Sequence, residues 1–235
     1  MNNRSVGVLG GMGPLATMEF LEQILAPFRG LSDRDYPRIV VDFQTQLPSR
    51  TRFAVTGSES PAPGLLVALD GLVSLGCAPI VMPCNSADSV LSLAGATLPA
   101  EYLSIVRVTT EAALARAEET TRSARVALIG GRATVVLGAY DEAFRGHEHV
   151  LVKPSVALQT QVEKMIEQVK HSGFRAHVAS VRDLVRHVLA DCDADIAILA
   201  CTELDLPDDS IDEKALVSST RALAGEVSRL CGPTQ

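Results

Sequence analysis

No apolar run in this 235-residue chain approaches the length of a membrane span, and Met1-Asn2-Asn3-Arg4 leads straight into strand-like residues without a leader pattern. A cytoplasmic protein with no membrane partner is the expectation. Basic residues are also in deficit. Lys and Arg total 21 against 28 Asp and Glu, and the formal charge of −7 argues against a nucleic-acid partner, which needs a basic face. The five cysteines, at 77, 84, 192, 201 and 231, form no Cys-x-x-Cys, and no histidine lies near Cys84 or Cys201 in sequence, so zinc is disfavoured. An odd count without a leader argues against a disulfide framework as well. Free thiols remain, and for Cys77, Cys192 and Cys231 the expected role is that of small buried hydrophobes.

What is present is an ordinary globular composition, 47% apolar and 21% charged, in a chain long enough for one large core or two small ones. Strand and helix patterns alternate. Val6-Gly7-Val8-Leu9-Gly10 reads as a strand opening into Gly11-Met12-Gly13-Pro14, then a helix over about 15–26. Arg38–Phe43 reads as a second strand, followed by a polar loop through Arg52 and a Ser/Pro/Gly-rich loop over 56–64. After a helix over 65–75, Ile80-Val81-Met82-Pro83-Cys84-Asn85-Ser86 reads as a buried strand running into a helix over 86–93. Leu103–Val106 predicts a fourth strand, and Thr109–Thr121 a helix. Downstream the pattern predicts strand 126–131, a helix through Phe144, strand 150–152, helices 159–170 and 181–189, and strand 196–200. A final helix over 214–230 is expected to return to the first half.

The chain says the same thing twice. Gly130-Gly131 follows Gly10-Gly11 by 120 residues, and Cys201 follows Cys84 by 117. Each half starts as strand, glycine turn and helix, and later carries strand, cysteine and polar helix start. Alternating strands and helices imply parallel sheets, whose ligands bind beyond the strands' carboxyl ends. If the halves face each other, Cys84 and Cys201 line one cleft. A thiol at a helix N-terminus faces unpaired N–H groups and the positive end of the helix dipole, which favours thiolate. Two such thiols on opposite faces of one carbon acid can move its proton with inversion, one as base and the other as acid. Backbone N–H groups at Asn85-Ser86 and Thr202-Glu203 would hold a carboxylate and its enediolate-like form, with the Asn85 and Thr202 side chains as further donors. Two structural cysteines at strand ends fit the same pattern. Gly11-x-Gly13-x-x-Ala16, with Asp42 ending the next strand, also fits a dinucleotide fingerprint. Its spacing is long, however, and Pro14 lacks one of the N–H groups a phosphate would use.

Several stretches resemble the aspartate/glutamate racemase family. Gly10-Gly11-Met12-Gly13-Pro14-Leu15-Ala16-Thr17 is similar to its opening motif. Pro83-Cys84-Asn85-Ser86-Ala87 and Ala200-Cys201-Thr202-Glu203-Leu204 are similar to its two cysteine motifs. Leu47-Pro48-Ser49-Arg50-Thr51 resembles the arginine loop of aspartate racemases, Thr134, Gly138 and Tyr140 match another stretch, and Val169-Lys170 with Gly173 resembles one that carries a lysine. The resemblance implies two similar α/β lobes, pseudo-two-fold related and paired as a homodimer, 1–105 with 212–235 forming one and 106–211 the other. It implies no cofactor, Cys84 and Cys201 as the acid/base pair, and an amino-acid substrate, with acidic ones leading because Arg50 is kept. Met12, Arg50, Asn85, Ser86, Thr134, Lys170, Thr202 and Glu203 become the substrate-binding set. Three positions depart from the pattern: Asp88, Gln44 and Ala200. Asp88, one helical turn after Cys84, is expected to oppose thiolate and to repel an acidic side chain. Rival expectations are a hydantoin racemase, a maleate isomerase with one nucleophilic cysteine, and a non-catalytic anion or nucleotide binder.

Overall fold

The computed structural model describes residues 5–120, 123–206 and 215–232. Two four-stranded parallel sheets make the frame. The first contains β1 (Ser5–Gly10), β2 (Ile39–Phe43), β3 (Cys77–Val81) and β4 (Tyr102–Leu103), in the order β2-β1-β3-β4. The second contains β5 (Arg125–Gly130), β6 (Val150–Val152), β7 (Ile196–Ala200) and β8 (Leu216–Ser218), in the order β6-β5-β7-β8. The two orders are identical. In each, the strand with the glycine turn lies beside the strand that precedes the cysteine, so strand order reverses between them. That reversal is where open α/β sheets leave a crevice for ligands.

Helices α1 (Pro14–Leu25), α2 (Arg50–Thr56), α3 (Ala62–Ser74), α4 (Asn85–Leu93) and α5 (Ile105–Thr120) belong to the first half of the chain. Helices α6 (Arg132–Leu137), α7 (Ala139–Ala143), α8 (Val156–Ser172), α9 (Val178–Cys192) and α10 (Ser219–Cys231) follow. Side chains alternate across each strand with period two, and alternate residues enter different cores. Val6 and Val8 of β1, Val126 and Leu128 of β5, and Ile196 and Ile198 of β7 enter one shared core. Phe20 and Ile24 of α1, Ile105 and Ala113 of α5, and Leu223 and Val227 of α10 join them there. The intervening residues of the second sheet, Ala127, Ile129, Ala197 and Leu199, pack under α8 and α9. Leu9 and Ile80 of the first sheet pack under α3 and α4. A common core thus fixes one sheet against the other.

The structure corrects several expected elements. The polar loop before Arg52 contains α2, because the Ser49 hydroxyl accepts from the Arg52 N–H at 3.2 Å and caps it. The strand expected over 103–106 stops at Leu103. Ser104 accepts from the Arg107 N–H and Asp88 accepts from the Val106 N–H, so Ile105 and Val106 open α5 instead. Its expected end at Thr121 lies outside the described residues. The helix expected through Phe144 is two, α6 and α7, divided at Gly138, whose φ of 71° leaves the right-handed helical region. The final segment was expected to be one helix placed wholly with the first lobe; instead, Leu216–Ser218 completes the second sheet and only then does α10 begin, packing on α1 and α5. Its expected start at Lys214 lies outside the described residues. No helix among the described residues is long and apolar enough to cross a membrane.

Candidate active site

Cys84 and Cys201 occupy equivalent backbone positions. Each stands in extended conformation at an N-cap, with φ −153° and ψ 101° at Cys84 and φ −149° and ψ 122° at Cys201. Both are free thiols, as are Cys77, Cys192 and Cys231. Of these last three, Cys77 and Cys192 pack in the cores on the two sheets' outer faces. Beyond Cys84 runs the nine-residue α4, whose first N–H groups have no intrahelical acceptor. Beyond Cys201 there is only a three-residue 3₁₀ turn, Thr202–Leu204, where a full helix start was expected. The Ser86 hydroxyl lies 3.4 Å from the Cys84 sulfur.

Cys84 and Cys201 line one cavity of ≈ 270 Å³, each brought by its own sheet. Met12, Arg50, Asn85 and Ser86 share that wall from the first half, and Thr134, Lys170, Thr202 and Glu203 from the second. All ten residues singled out in sequence therefore meet in one place. A second chamber of ≈ 300 Å³ shares Met12, Arg50, Lys170 and Glu203 with the first and continues past Leu15, Ala16 and Glu19.

The electrostatics of the two sides differ. The Cys201 thiol donates to Glu203 Oε2 at 3.0 Å, and loss of water together with that carboxylate pushes the thiol well above its ordinary range. Glu203 Oε1 rests against Gly13, where an added Cβ would come within 2.7 Å of it and displace the carboxylate. Lys170 Nζ lies 3.0 Å from Glu167. Burial works against the lysine's charge, but Glu203, Glu167 and Cys201 outweigh it and hold the ammonium above its usual range. Arg50, the first residue of α2, has only long contacts at 3.5 Å to the Pro48 and Met12 carbonyls. Its Nε is buried without a partner, and no described carboxylate lies within ion-pair distance of it. A cation in that condition suits a carboxylate ligand.

Two expectations change. The Asn85 amide is already engaged: Tyr140 donates to its Oδ1 at 2.6 Å and its Nδ2 donates to Ser219 at 2.9 Å. Asp88 is buried and turned away from the cavity, accepting from Tyr102 and Ser104 at 2.6 Å each and from the Val106 N–H at 3.0 Å. Burial raises its carboxyl, and those three bonds work in the opposite direction. It caps α5 and is not among the residues lining the cavity. Gln44 also faces elsewhere, donating to both Asp42 oxygens at 2.9 and 3.0 Å. Ala200 does line the wall. The glycine turn is poorly made for a nucleotide, since the Gly11 N–H is taken by the Thr17 hydroxyl at 3.0 Å. Asp42, the expected ribose partner, is occupied by Gln44.

Sequence reading missed Arg132, Glu163 and Glu167, all on the cavity wall. Arg132 meets Glu163 through Nε at 2.6 Å and Nη2 at 3.2 Å. Burial disfavours the Glu163 charge, but its bonds from Arg132 and Gln159 outweigh that and hold the carboxyl below the usual range. Two signals were available. Arg132 follows Met12 by the repeat interval of 120, and Glu163, Glu167 and Lys170 form one stripe at helical spacing.

The chain is 24% identical over 227 residues to the broad specificity amino-acid racemase RacX of Bacillus subtilis (strain 168), covering 93% of this chain and 94% of that protein. It is 32% identical over 171 residues to a glutamate racemase of Saccharopolyspora erythraea, covering 70% of this chain and 60% of that relative. The fold superposes on the aspartate racemase of Picrophilus torridus with a TM-score of 0.76 and 26% identity, over 97% of this chain and 94% of that one. The Asp/Glu/Hydantoin racemase model matches residues 9–227, spanning both glycine turns and both cysteine strand ends, and the chain belongs to that family.

Proposed function

We propose that this protein is an amino-acid racemase, working without a cofactor, that inverts the α-carbon by proton transfer between Cys84 and Cys201. The observation that carries the reading is the delivery of two equivalent N-cap thiols, one from each sheet, to a single cavity. Cys84 as thiolate removes the α-proton on one face, while Cys201, whose proton is held by Glu203, donates to the other. In the opposite direction the state left by that transfer, Cys84 as thiol and Cys201 as thiolate, runs the same step backwards: Cys201 takes the α-proton and Cys84 donates to the other face. The developing enediolate-like charge falls near the N–H groups at the start of α4.

Acidic amino acids lead the substrate list because Arg50 lines the cavity without a carboxylate partner among the described residues. The adjoining chamber favours a second reading within the same chemistry, a range that extends to longer side chains. The activities named for the relatives support an amino-acid substrate. The reading also includes a cytoplasmic homodimer, which sedimentation velocity tests. Proton NMR in deuterated water, with a panel of amino acids and no added cofactor, tests the reaction. Loss of an α-proton signal is the expected result. Silence across the panel, with turnover of maleate or a hydantoin, replaces this reading with one of those isomerisations.

A further inference from the structure

We infer that Tyr140 and Ser219 are positioning residues for Cys84, acting through the side chain of Asn85; the inference rests on the two-thiol reading above. Asn85 is the residue after Cys84 and the first of α4. Its amide is held from two directions, by the Tyr140 hydroxyl of α7 at 2.6 Å and by the Ser219 hydroxyl of α10 at 2.9 Å. All three side chains are buried, with exposures of 3% for Asn85 and 0% for Tyr140 and Ser219. Burial also pushes the Tyr140 hydroxyl above its ordinary range, so it keeps its proton and remains a donor.

The partners come from particular places. Tyr140 belongs to the half of the chain that supplies Cys201. Ser219 opens the helix that follows β8 of the same sheet, and its start is fixed where the Ser218 hydroxyl accepts from the Arg221 N–H at 3.2 Å. The first turn of the Cys84 helix is therefore tied by side chains to the lobe that carries the other thiol. Inversion requires two sulfurs on opposite faces of one carbon, and these sulfurs ride on different sheets. Any slip between the sheets changes their separation directly. Displacements near 1 Å cost on the order of 100-fold in rate in such arrangements. A buried amide held at both its oxygen and its nitrogen beside one sulfur resists that slip. It also explains why the Asn85 side chain, though on the cavity wall, has two of its bonds spent elsewhere.

The test uses Tyr140→Phe and Ser219→Ala, with a single substrate enantiomer in deuterated water. Two quantities are followed, inversion by chiral chromatography and α-proton exchange with retention by NMR. Abstraction needs one sulfur, whereas inversion needs both in register. The expected result is inversion down by about tenfold or more, a smaller loss of exchange, and KM within about twofold. The exchange-to-inversion ratio therefore rises. A merely structural role lowers both rates together and leaves the ratio as in the wild type, which would overturn the inference. Iodoacetamide labelling, read by peptide mass spectrometry, separates this from failure of the racemase reading. A changed Cys84-to-Cys201 labelling ratio in the variants supports the clamp even where the wild type is silent on amino acids. An unchanged labelling ratio and an unchanged exchange ratio in an active enzyme refute the clamp and leave the racemase standing.

Discussion

Cys84 and Cys201 sit at the same backbone position in two copies of one strand order, and their surroundings are not alike. Two residues beyond Cys84 stands Ser86, a hydroxyl 3.4 Å from the sulfur; two residues beyond Cys201 stands Glu203, a carboxylate that accepts a hydrogen bond from the thiol at 3.0 Å. The first is followed by a nine-residue helix, the second by a three-residue turn. The glycine turns differ in the same way, with Met12 at one and Arg132 at the other, 120 residues apart and facing the same cavity. Repetition of the backbone supplies two thiols and two turns. Single side chains beside them then make the two surroundings unlike, a hydroxyl at one sulfur and a carboxylate at the other.

Removing either sulfur breaks the comparison outright. Cys84→Ala and Cys201→Ala should each lower kcat for inversion by about 10²- to 10⁴-fold, the usual worth of a positioned acid or base. Each variant should keep partial α-proton exchange with the enantiomer whose proton faces the remaining thiol, which NMR in deuterated water reads. Equal racemisation by both variants and the wild type would contradict the two-thiol account.

Glu203→Gln makes the second thiol resemble the first. Burial and the Glu203 carboxylate raise Cys201, so removing the carboxylate brings the thiol down toward its ordinary range. In the direction in which Cys201 donates, the basic limb of the pH–rate profile should therefore move to lower pH, with kcat down by about 10- to 100-fold. An unmoved basic limb would separate Glu203 from the chemistry. Arg50→Ala tests the cavity's unpaired cation. KM for aspartate or glutamate should rise by about tenfold or more while any neutral substrate is little affected. A uniform rise across the panel would place Arg50 in general binding instead.

Asp88→Ala should act on stability. It leaves the Tyr102 and Ser104 hydroxyls and the Val106 N–H without their buried acceptor, at a cost of about 3 kcal/mol by denaturant unfolding. The relative rates on acidic and neutral substrates should not change. The smallest effect is expected from Arg132→Met, which makes the second turn like the first. The Arg132–Glu163 pair is partly exposed and screened by water, so the loss of stability at pH 7 should be small. Glu163 lies below the usual carboxylate range in the folded protein. The stability it contributes is present above its unfolded pKa and fades as pH falls through its folded one. Wild type and variant should therefore converge in acid, as thermal melts across pH would report.

Much of this site was legible because its parts stand at strand ends. Apolar runs that stop at Gly-Gly or at a cysteine locate the carboxyl ends of β1, β5, β3 and β7, and the repeat intervals pair them. What stayed hidden depended on distances the sequence does not carry. Asp88 follows Cys84 by four residues, the spacing of neighbours on a helix. Cys84 is an N-cap with φ −153°, however, so the helical stripe does not extend back to it and the carboxylate points to Tyr102 and Ser104. Asn85 looked like a free donor because its partners, Tyr140 and Ser219, are 55 and 134 residues away. The three residues of β8 were absorbed into the stronger helical pattern of α10. Ser49 was visible as a helix cap in principle, but Pro48 before it and the polar run around it read as loop.

One measurement bears most directly on the claim that two thiols from two lobes share one α-carbon. A single enantiomer of the active substrate, turned over briefly in deuterated water, yields both enantiomers for isotopic analysis. The two-thiol account predicts solvent deuterium at the α-carbon of nearly every molecule of newly formed product, while recovered substrate gains deuterium only at the slower rate of exchange with retention. Product that retains the original α-proton would mean that one group serves both faces, and the account would be wrong.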